Sequence, residues 1–172
     1  IAAGGNAVGA ARYTQTPAFG VSPPVLEAFS SRGGTPILFD TSGNAIYQLR
    51  QKPEIVAPDG VDTTFFYPGQ DPENNGFPNF FGTSAAAPHA AGVAALLRSF
   101  DSTLGPQAVY NALQTTALDI GTTGPDFDSG YGLIQADAAL ATPSPIAFSL
   151  ETSNDRRPVR IVGRQPVALA LL

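Results

Sequence analysis

Gly82-Thr83-Ser84-Ala85-Ala86-Ala87-Pro88-His89-Ala90-Ala91-Gly92 decides how this chain is read. It puts a serine at a glycine-turned corner directly before a helical run. The corner lets the Ser84 hydroxyl stand clear of its neighbours. A helix start aims unpaired backbone N–H groups, and the positive end of the helix dipole, at the same place. Acyl transfer needs that pairing of a nucleophile with donors for a developing oxyanion. Serine is also a preferred N-cap, so a bare Gly-Thr-Ser before a helix ordinarily only caps it. Gly82 permits a turn that a Cβ would crowd. Ala85, Ala86 and Ala87 keep the first helical turn open for a substrate carbonyl. Pro88 is tolerated in or near that turn, where N–H groups lack intrahelical partners. Gly92 costs about 1 kcal/mol of helix propensity relative to alanine, which a close helix contact would offset. Residues 90–97 are apolar all round, which predicts a buried helix. Arg98 and Ser99 mark its approach to the surface.

The full eleven-residue string resembles the nucleophile motif of the subtilisin-like serine proteases, G-T-S-x-A-A-P-H-x-A-G, with every fixed position filled. Other segments carry the same likeness. Ala7-Val8-Gly9-Ala10 resembles the family's buried V-x-A-V-G-A strand, and Ala28-Phe29-Ser30-Ser31-Arg32-Gly33 its F-S-S-x-G strand and turn. Lys52-Pro53-Glu54-Ile55-Val56-Ala57-Pro58 resembles K-P-D-[IV]-x-A-P, with Glu54 where Asp is commoner. Asp59-Gly60 follows where many members have Gly directly. Tyr131-Gly132-Leu133-Ile134-Gln135-Ala136 resembles G-x-G-x-[IVL]-x-A, and a short helix to Ala141 closes the likeness. The resemblance implies an α/β fold: the C-terminal portion of a subtilisin-like parallel-sheet domain, with helices on both faces, over residues 1–141. Residues 142–145 (Thr-Pro-Ser-Pro) read as a linker. Residues 146–172 hold two β-like runs and read as a tail or a truncated second domain.

Between these segments, residues 37–39 and 45–49 are β-prone and flank Asp40-Thr41-Ser42-Gly43-Asn44, which predicts a hairpin. It reads as an insertion relative to a minimal subtilase. Residues 61–81 form a long loop leading into the nucleophile, placed to shape a substrate cleft. Pro106 opens a second helix, expected to run to about Leu118 with Val109, Ala112, Leu113 and Ala117 at helical spacing.

Composition bounds the partners. A length of 172 residues suits one domain. Only 13% of residues are charged, against 18 Gly and 16 Pro, which fits a loop-rich globular chain. The net charge of −5 argues against nucleic-acid binding. The nearest basic cluster, Arg156-Arg157 to Arg164, is broken by Pro158. No apolar run is long enough for a membrane span. The absence of cysteine excludes disulfides and thiolate metal sites. Starting at Ile1-Ala2-Ala3, the chain reads as a fragment or a processed product. The resemblance favours an exported protein, secreted or at the cell surface.

In subtilisin-like proteases the triad runs Asp, His, Ser along the chain. The resemblance therefore implies a serine endopeptidase with Ser84 as nucleophile, its Asp and His lying upstream in the missing N-terminal half of the domain, and a polypeptide as substrate. The Ser84 N–H, supported by the Thr83 hydroxyl, would donate to the oxyanion. Asn6, in Ile1-Ala2-Ala3-Gly4-Gly5-Asn6, either matches the family's oxyanion asparagine in A-A-G-N or begins the following strand. His89 is the single histidine. Five helical residues turn about 500°, so it points roughly 140° away from Ser84 and reads as structural. Asp40-Thr41-Ser42-Gly43 echoes the D-[ST]-G motif of a catalytic aspartate, but Asp and Gly are ordinary turn residues. Asp71, Glu73, Asn74 and Asn75 are oxygen ligands of the kind calcium uses, yet match no fixed calcium loop. They read first as a solvated acidic loop, so a structural calcium is possible but not located, and the chemistry requires no cofactor. The expectation for the 172 residues alone is no peptidase turnover.

Two rival peptidase types fit less well. Sedolisins share the corner but lack the Pro88-His89 continuation. α/β-Hydrolases would need glycine where Ala86 stands. The alternative from another class is a non-catalytic binding or surface module on the same scaffold, because fold alone does not establish function.

Overall fold

Two short apolar runs of small and β-branched residues make the centre of the molecule. In chain order the elements are β1 (Val8–Arg12), β2 (Ile37–Phe39), β3 (Ala45–Gln48), β4 (Ile55–Asp59), β5 (Val61–Asp62), β6 (Asn79–Phe80), α1 (Thr83–Phe100), α2 (Pro106–Thr115) and α3 (Ala136–Ala141). They come from a computed structural model that describes residues 3–64 and 69–142. The linker beyond Thr142 and the tail at 146–172 lie outside the described residues.

β1 and β4 run parallel, from Val8 opposite Ile55 to Arg12 opposite Asp59. Parallel strands bury both faces. Ala10, Ile55 and Ala57 turn to one face, where Ala86, Ala90 and Leu97 of α1 meet Val109 and Leu113 of α2 and Ala139 of α3. Ala11 and Val56 turn to the other, against Ile120, Leu133 and Leu26. All three α-helices of the described residues lie on the first face. Residues 132–134 run along the edge of β4: Val56 N–H donates to the Gly132 carbonyl (2.8 Å) and Ile134 N–H to the Val56 carbonyl (2.9 Å). The glycine-containing segment expected before α3 thus extends the parallel pairing. The F-S-S segment forms no strand: a single bridge, Leu26 to Ala11, precedes it, and it opens as a turn.

The hairpin forms as expected, β2 against β3 with Ile37 opposite Gln48, and stands out from the body with Phe39 and Tyr47 exposed. The loop at 61–81 is less open than its sequence suggests, since β5 and β6 pair across its base.

α2 stops three residues short of the expected Leu118. The Thr115 and Thr116 hydroxyls donate back to the Asn111 and Ala112 carbonyls (2.8 and 2.7 Å). Leu118 then exchanges two 2.8 Å backbone hydrogen bonds with Leu133, and that long-range pairing outweighs the helical spacing. The expectation that α1 is buried all round also fails. One face is buried through Ala86, Ala90 and Leu97, while Ala91, Gly92, Ala95 and Leu96 are exposed. Apart from its chain neighbours and the adjoining backbone of α1, nothing among the described residues lies within 4 Å of the position a Gly92 Cβ would take, so the expected close helix contact is absent there. No helix of the described residues is long and apolar enough to cross a membrane.

Glu54, the departure from the commoner aspartate, has a structural use. Lys52 is almost wholly buried. Its ammonium pairs with the Glu54 carboxylate and donates to the Gly5 carbonyl at 2.5 Å. The other Glu54 oxygen accepts the Ala7 N–H at 2.6 Å. The pair ties the approach to β4 onto the approach to β1. Removing one member of a buried pair strands the other charge, so Glu54→Ala is expected to cost about 3–5 kcal/mol in denaturant unfolding. An apolar Lys52→Met/Glu54→Leu double substitution is expected to recover most of that loss.

Candidate active site

β4 ends at Asp59, the chain loops out through β5 and β6, and it returns beside the same strand end. There Gly60 N–H donates to the Phe80 carbonyl (2.8 Å), and Gly82 N–H donates to Asp59 Oδ2 (2.6 Å). Gly82 takes φ 130° and ψ 158°, a backbone that side chains with a Cβ rarely adopt, and α1 begins at the next residue. Its carbonyl accepts the N–H groups of Ala85 and Ala86 (2.8 and 3.1 Å).

Ser84 is the second residue of α1 and is exposed. It does not cap the helix: Gly82 is the N-cap, without a side-chain capping bond. The opening N–H groups of a helix have no intrahelical acceptor, so the Ser84 hydroxyl and free backbone donors share one end of α1. Thr83, the first helical residue, is half-buried beside it. The alanines play a different part from the one expected. Ala85 and Ala86 are buried and turn inward, and only Ala87 is exposed. Pro88 sits in the second turn of α1 rather than the first, and its missing N–H leaves the Ser84 carbonyl without its usual partner.

His89 is turned back along its own helix. Its Nδ1 lies 2.8 Å from the Ala85 carbonyl, which can only accept, so Nδ1 carries a proton. The ring is held within α1 rather than offered to Ser84. Asn6 is not brought to the corner either. It is half-buried and lies before β1, whose far end, Arg12, is the one paired with Asp59 beside Gly82. Asn6 stands six positions before that end, roughly 20 Å along an extended chain. Gly4 and Gly5 next to it accept from Tyr110 and Lys52, and this stretch leads into β1 at the end away from Ser84. Asp40 is a turn residue. Its carboxylate accepts the Ser42 N–H and both the backbone and side-chain N–H of Asn44 (2.8–2.9 Å). The Asn44 side-chain bond leads in holding it below the usual carboxylate range.

The calcium candidates are hydrogen-bonded to their own loop and to one another. Asp71 accepts the Asn75 and Gly76 N–H groups (3.2 and 2.7 Å), and the Asn75 amide donates to Asp62 and Glu73 (3.0 and 3.2 Å). Tyr13 donates to Glu73, which first among several causes pushes the phenol up to about 12. Among the described residues, no group of three or more His, Cys, Asp or Glu is arranged to hold a metal ion.

Sequence reasoning passed over Asp59. It is wholly buried. Burial leads in pushing its carboxyl above the ordinary range, against the Gly82 N–H and the charges of Arg12 and His89. Glu27 faces it as well, and is itself raised by burial and by the Asp59 charge. The available signal was an aspartate at the end of a buried strand, directly before a glycine. A carboxyl raised on folding holds its proton more tightly in the folded state than in the unfolded one. Its contribution to stability is complete below the ordinary value of 3.8 and is lost as pH rises through the folded value. Asp59→Asn is therefore expected to gain in melting temperature over the parent as pH rises, with the gap closing in acid. Glu27 titrates in both proteins, but the substitution also removes the Asp59 charge that raises it, so the difference between the two melting curves reports Asp59 together with its coupling to Glu27.

The arrangement joins an exposed hydroxyl to helix-terminal donors, without a base from this chain's one histidine. Comparison with known proteins finds subtilisin-like proteases. The chain is 32% identical over 145 residues to "Subtilisin-like protease SBT4.13" of Arabidopsis thaliana, covering 79% of this chain and 18% of that one. It is 33% identical over 144 residues to fervidolysin of Fervidobacterium pennivorans, covering 75% and 20%. The chain spans about a fifth of the length of these curated relatives. The crystal structure of fervidolysin, described as a keratinolytic enzyme related to subtilisin, superposes with a TM-score of 0.57 at 27% identity, over 83% of this chain and 20% of that one. The Clostridium perfringens CspB protease gives 0.50 at 27% identity, over 77% and 25%. The sequence profile of the Subtilase family matches residues 2–132, and this chain belongs to that family.

Proposed function

We propose that Ser84 is the nucleophile of a serine endopeptidase. Its Oγ attacks the scissile carbonyl carbon while a histidine from elsewhere in the protein takes its proton, oriented by an aspartate that also lies outside these 172 residues. The resulting oxyanion is held by the Ser84 N–H with help from the Thr83 hydroxyl. Collapse of the tetrahedral intermediate expels the amine, which leaves with the proton held by the histidine, and an acyl-Ser84 ester remains for water to cleave. The observation that carries this reading is an exposed Ser84 in the first turn of α1, just past the Gly82 corner. No step calls for a cofactor. A serine hydroxyl without a base is a weak nucleophile at neutral pH, so the 172 residues alone are expected to turn over no peptide. An exported, secreted or cell-surface protein accords with this reading.

The test is casein cleavage by the full-length protein before and after Ser84→Ala. Loss of cleavage on substitution supports the proposal. Cleavage that persists at the parent rate moves the chemistry elsewhere. A folded parent that cleaves nothing favours the non-catalytic module.

A further inference from the structure

We propose that Asp59 is a positioning residue for the nucleophile corner, its buried carboxylate fixing the Gly82 backbone from which Ser84 is presented. The proposal rests on the reading of Ser84 as nucleophile.

Three observations meet at this point. First, Asp59 is wholly buried, and of its two oxygens one accepts the Gly82 N–H at 2.6 Å while the other has no hydrogen-bond partner. A carboxylate is expensive to bury, and this one spends its single side-chain bond on the residue that turns the chain into α1. Secondly, the N-cap's own N–H is an orphan donor, which in a capping box is met from within the helix. Here it is met across the fold, from a strand 23 positions earlier in sequence. The negative group also lies at the positive end of the helix dipole. Thirdly, the neighbouring residue is gripped from the same place. The Phe81 ring packs against Gly60, where a Cβ would stand 2.6 Å from it. The Arg12 guanidinium lies 5.1 Å over the same ring, and Arg12 is the register partner of Asp59. Asp59-Gly60 and Arg12 thus hold Phe81 and Gly82 together.

Glycine has no intrinsic preference for the angles Gly82 adopts, so the corner needs an outside constraint, and the Asp59 hydrogen bond supplies one. Misplacing a reacting group by about 1 Å costs about 10²-fold in rate. Losing the constraint should therefore lower turnover more than substrate binding.

The experiment uses the full-length protein with Asp59→Ala and Asp59→Asn. Asp59→Ala is expected to lower kcat about ten- to hundredfold with KM changed less than about twofold. Asp59→Asn, whose amide oxygen can accept the same N–H, is expected to stay within about threefold of the parent. Equal losses in the two variants, or a kcat for Asp59→Ala within twofold of the parent, would overturn the proposal. A second readout needs neither activity nor the alanine variant. With glycine amides labelled by nitrogen-15, the Gly82 amide resonance of the parent should follow the titration of one carboxyl, and in Asp59→Asn that titration should vanish. A Gly82 resonance flat with pH in the parent overturns the role of Asp59 whatever Ser84 does. Activity that survives Ser84→Ala overturns the hydrolase reading and leaves the Gly82 result standing.

Discussion

Replacing Ser84 with alanine is expected to lower peptide hydrolysis by the full-length protein on the order of 10⁶-fold, the scale seen when a triad serine is removed from subtilisin. Stability should change little. Ser84 is exposed and is not the N-cap of α1, and alanine is a better helix former than serine by a few tenths of a kcal/mol. A fall in activity with an unchanged melting temperature separates chemistry from folding. A structural serine would give the opposite pattern, as would a capping one: a modest loss of stability of about 1 kcal/mol and no selective loss of turnover. What activity remains should come from the oxyanion donors and substrate binding, which survive the substitution.

The second large effect lies far from the chemistry. Gly132→Ala is expected to destabilise by more than about 4 kcal/mol, enough to deplete soluble protein. Gly132 has φ 104°, and an added Cβ would stand 2.0 Å from the Leu118 carbonyl oxygen, 2.6 Å from its carbon and 2.9 Å from the Asp119 Cα. Every one of these is a backbone atom, so no side chain can swing aside. The backbone itself cannot yield without breaking the hydrogen bond from Val56 to Gly132 and the two between Leu118 and Leu133. The first of those bonds joins residues 132–134 to β4, whose far end holds Gly82. Expression yield and urea unfolding of Gly132→Ala beside the parent measure the effect. A variant as soluble and as stable as the parent would contradict this close packing.

The Gly82 corner and the start of α1 were legible because they are local. A glycine turn, small residues and a helical run fall within eleven consecutive positions, and their order carries the chemistry. β1 and β4 were legible from their resemblance to the family's strand motifs, and the start of α2 from Pro106. Longer-range facts were not. The end of α2 depends on Leu118 finding Leu133, which helical spacing within 106–118 does not encode. The exposed face of α1 was illegible because alanine and glycine occupy both faces, so hydrophobic pattern gives no direction. The role of Asp59 was not legible because its partner Gly82 is 23 positions away, and that of Glu54 was not because Ala7 is 47 away. Asn6 fitted two roles as a string of letters. Strand direction puts it at the end of β1 away from Ser84.

The central claim is that Ser84 is the reactive serine of this protein. Treating the folded full-length protein with a fluorophosphonate and mapping the adduct by peptide mass spectrometry tests it directly. The prediction is one phosphonate, on Ser84, that forms in the folded protein and not after unfolding in urea. An unlabelled Ser84 in folded protein, or an adduct on another serine, would contradict it.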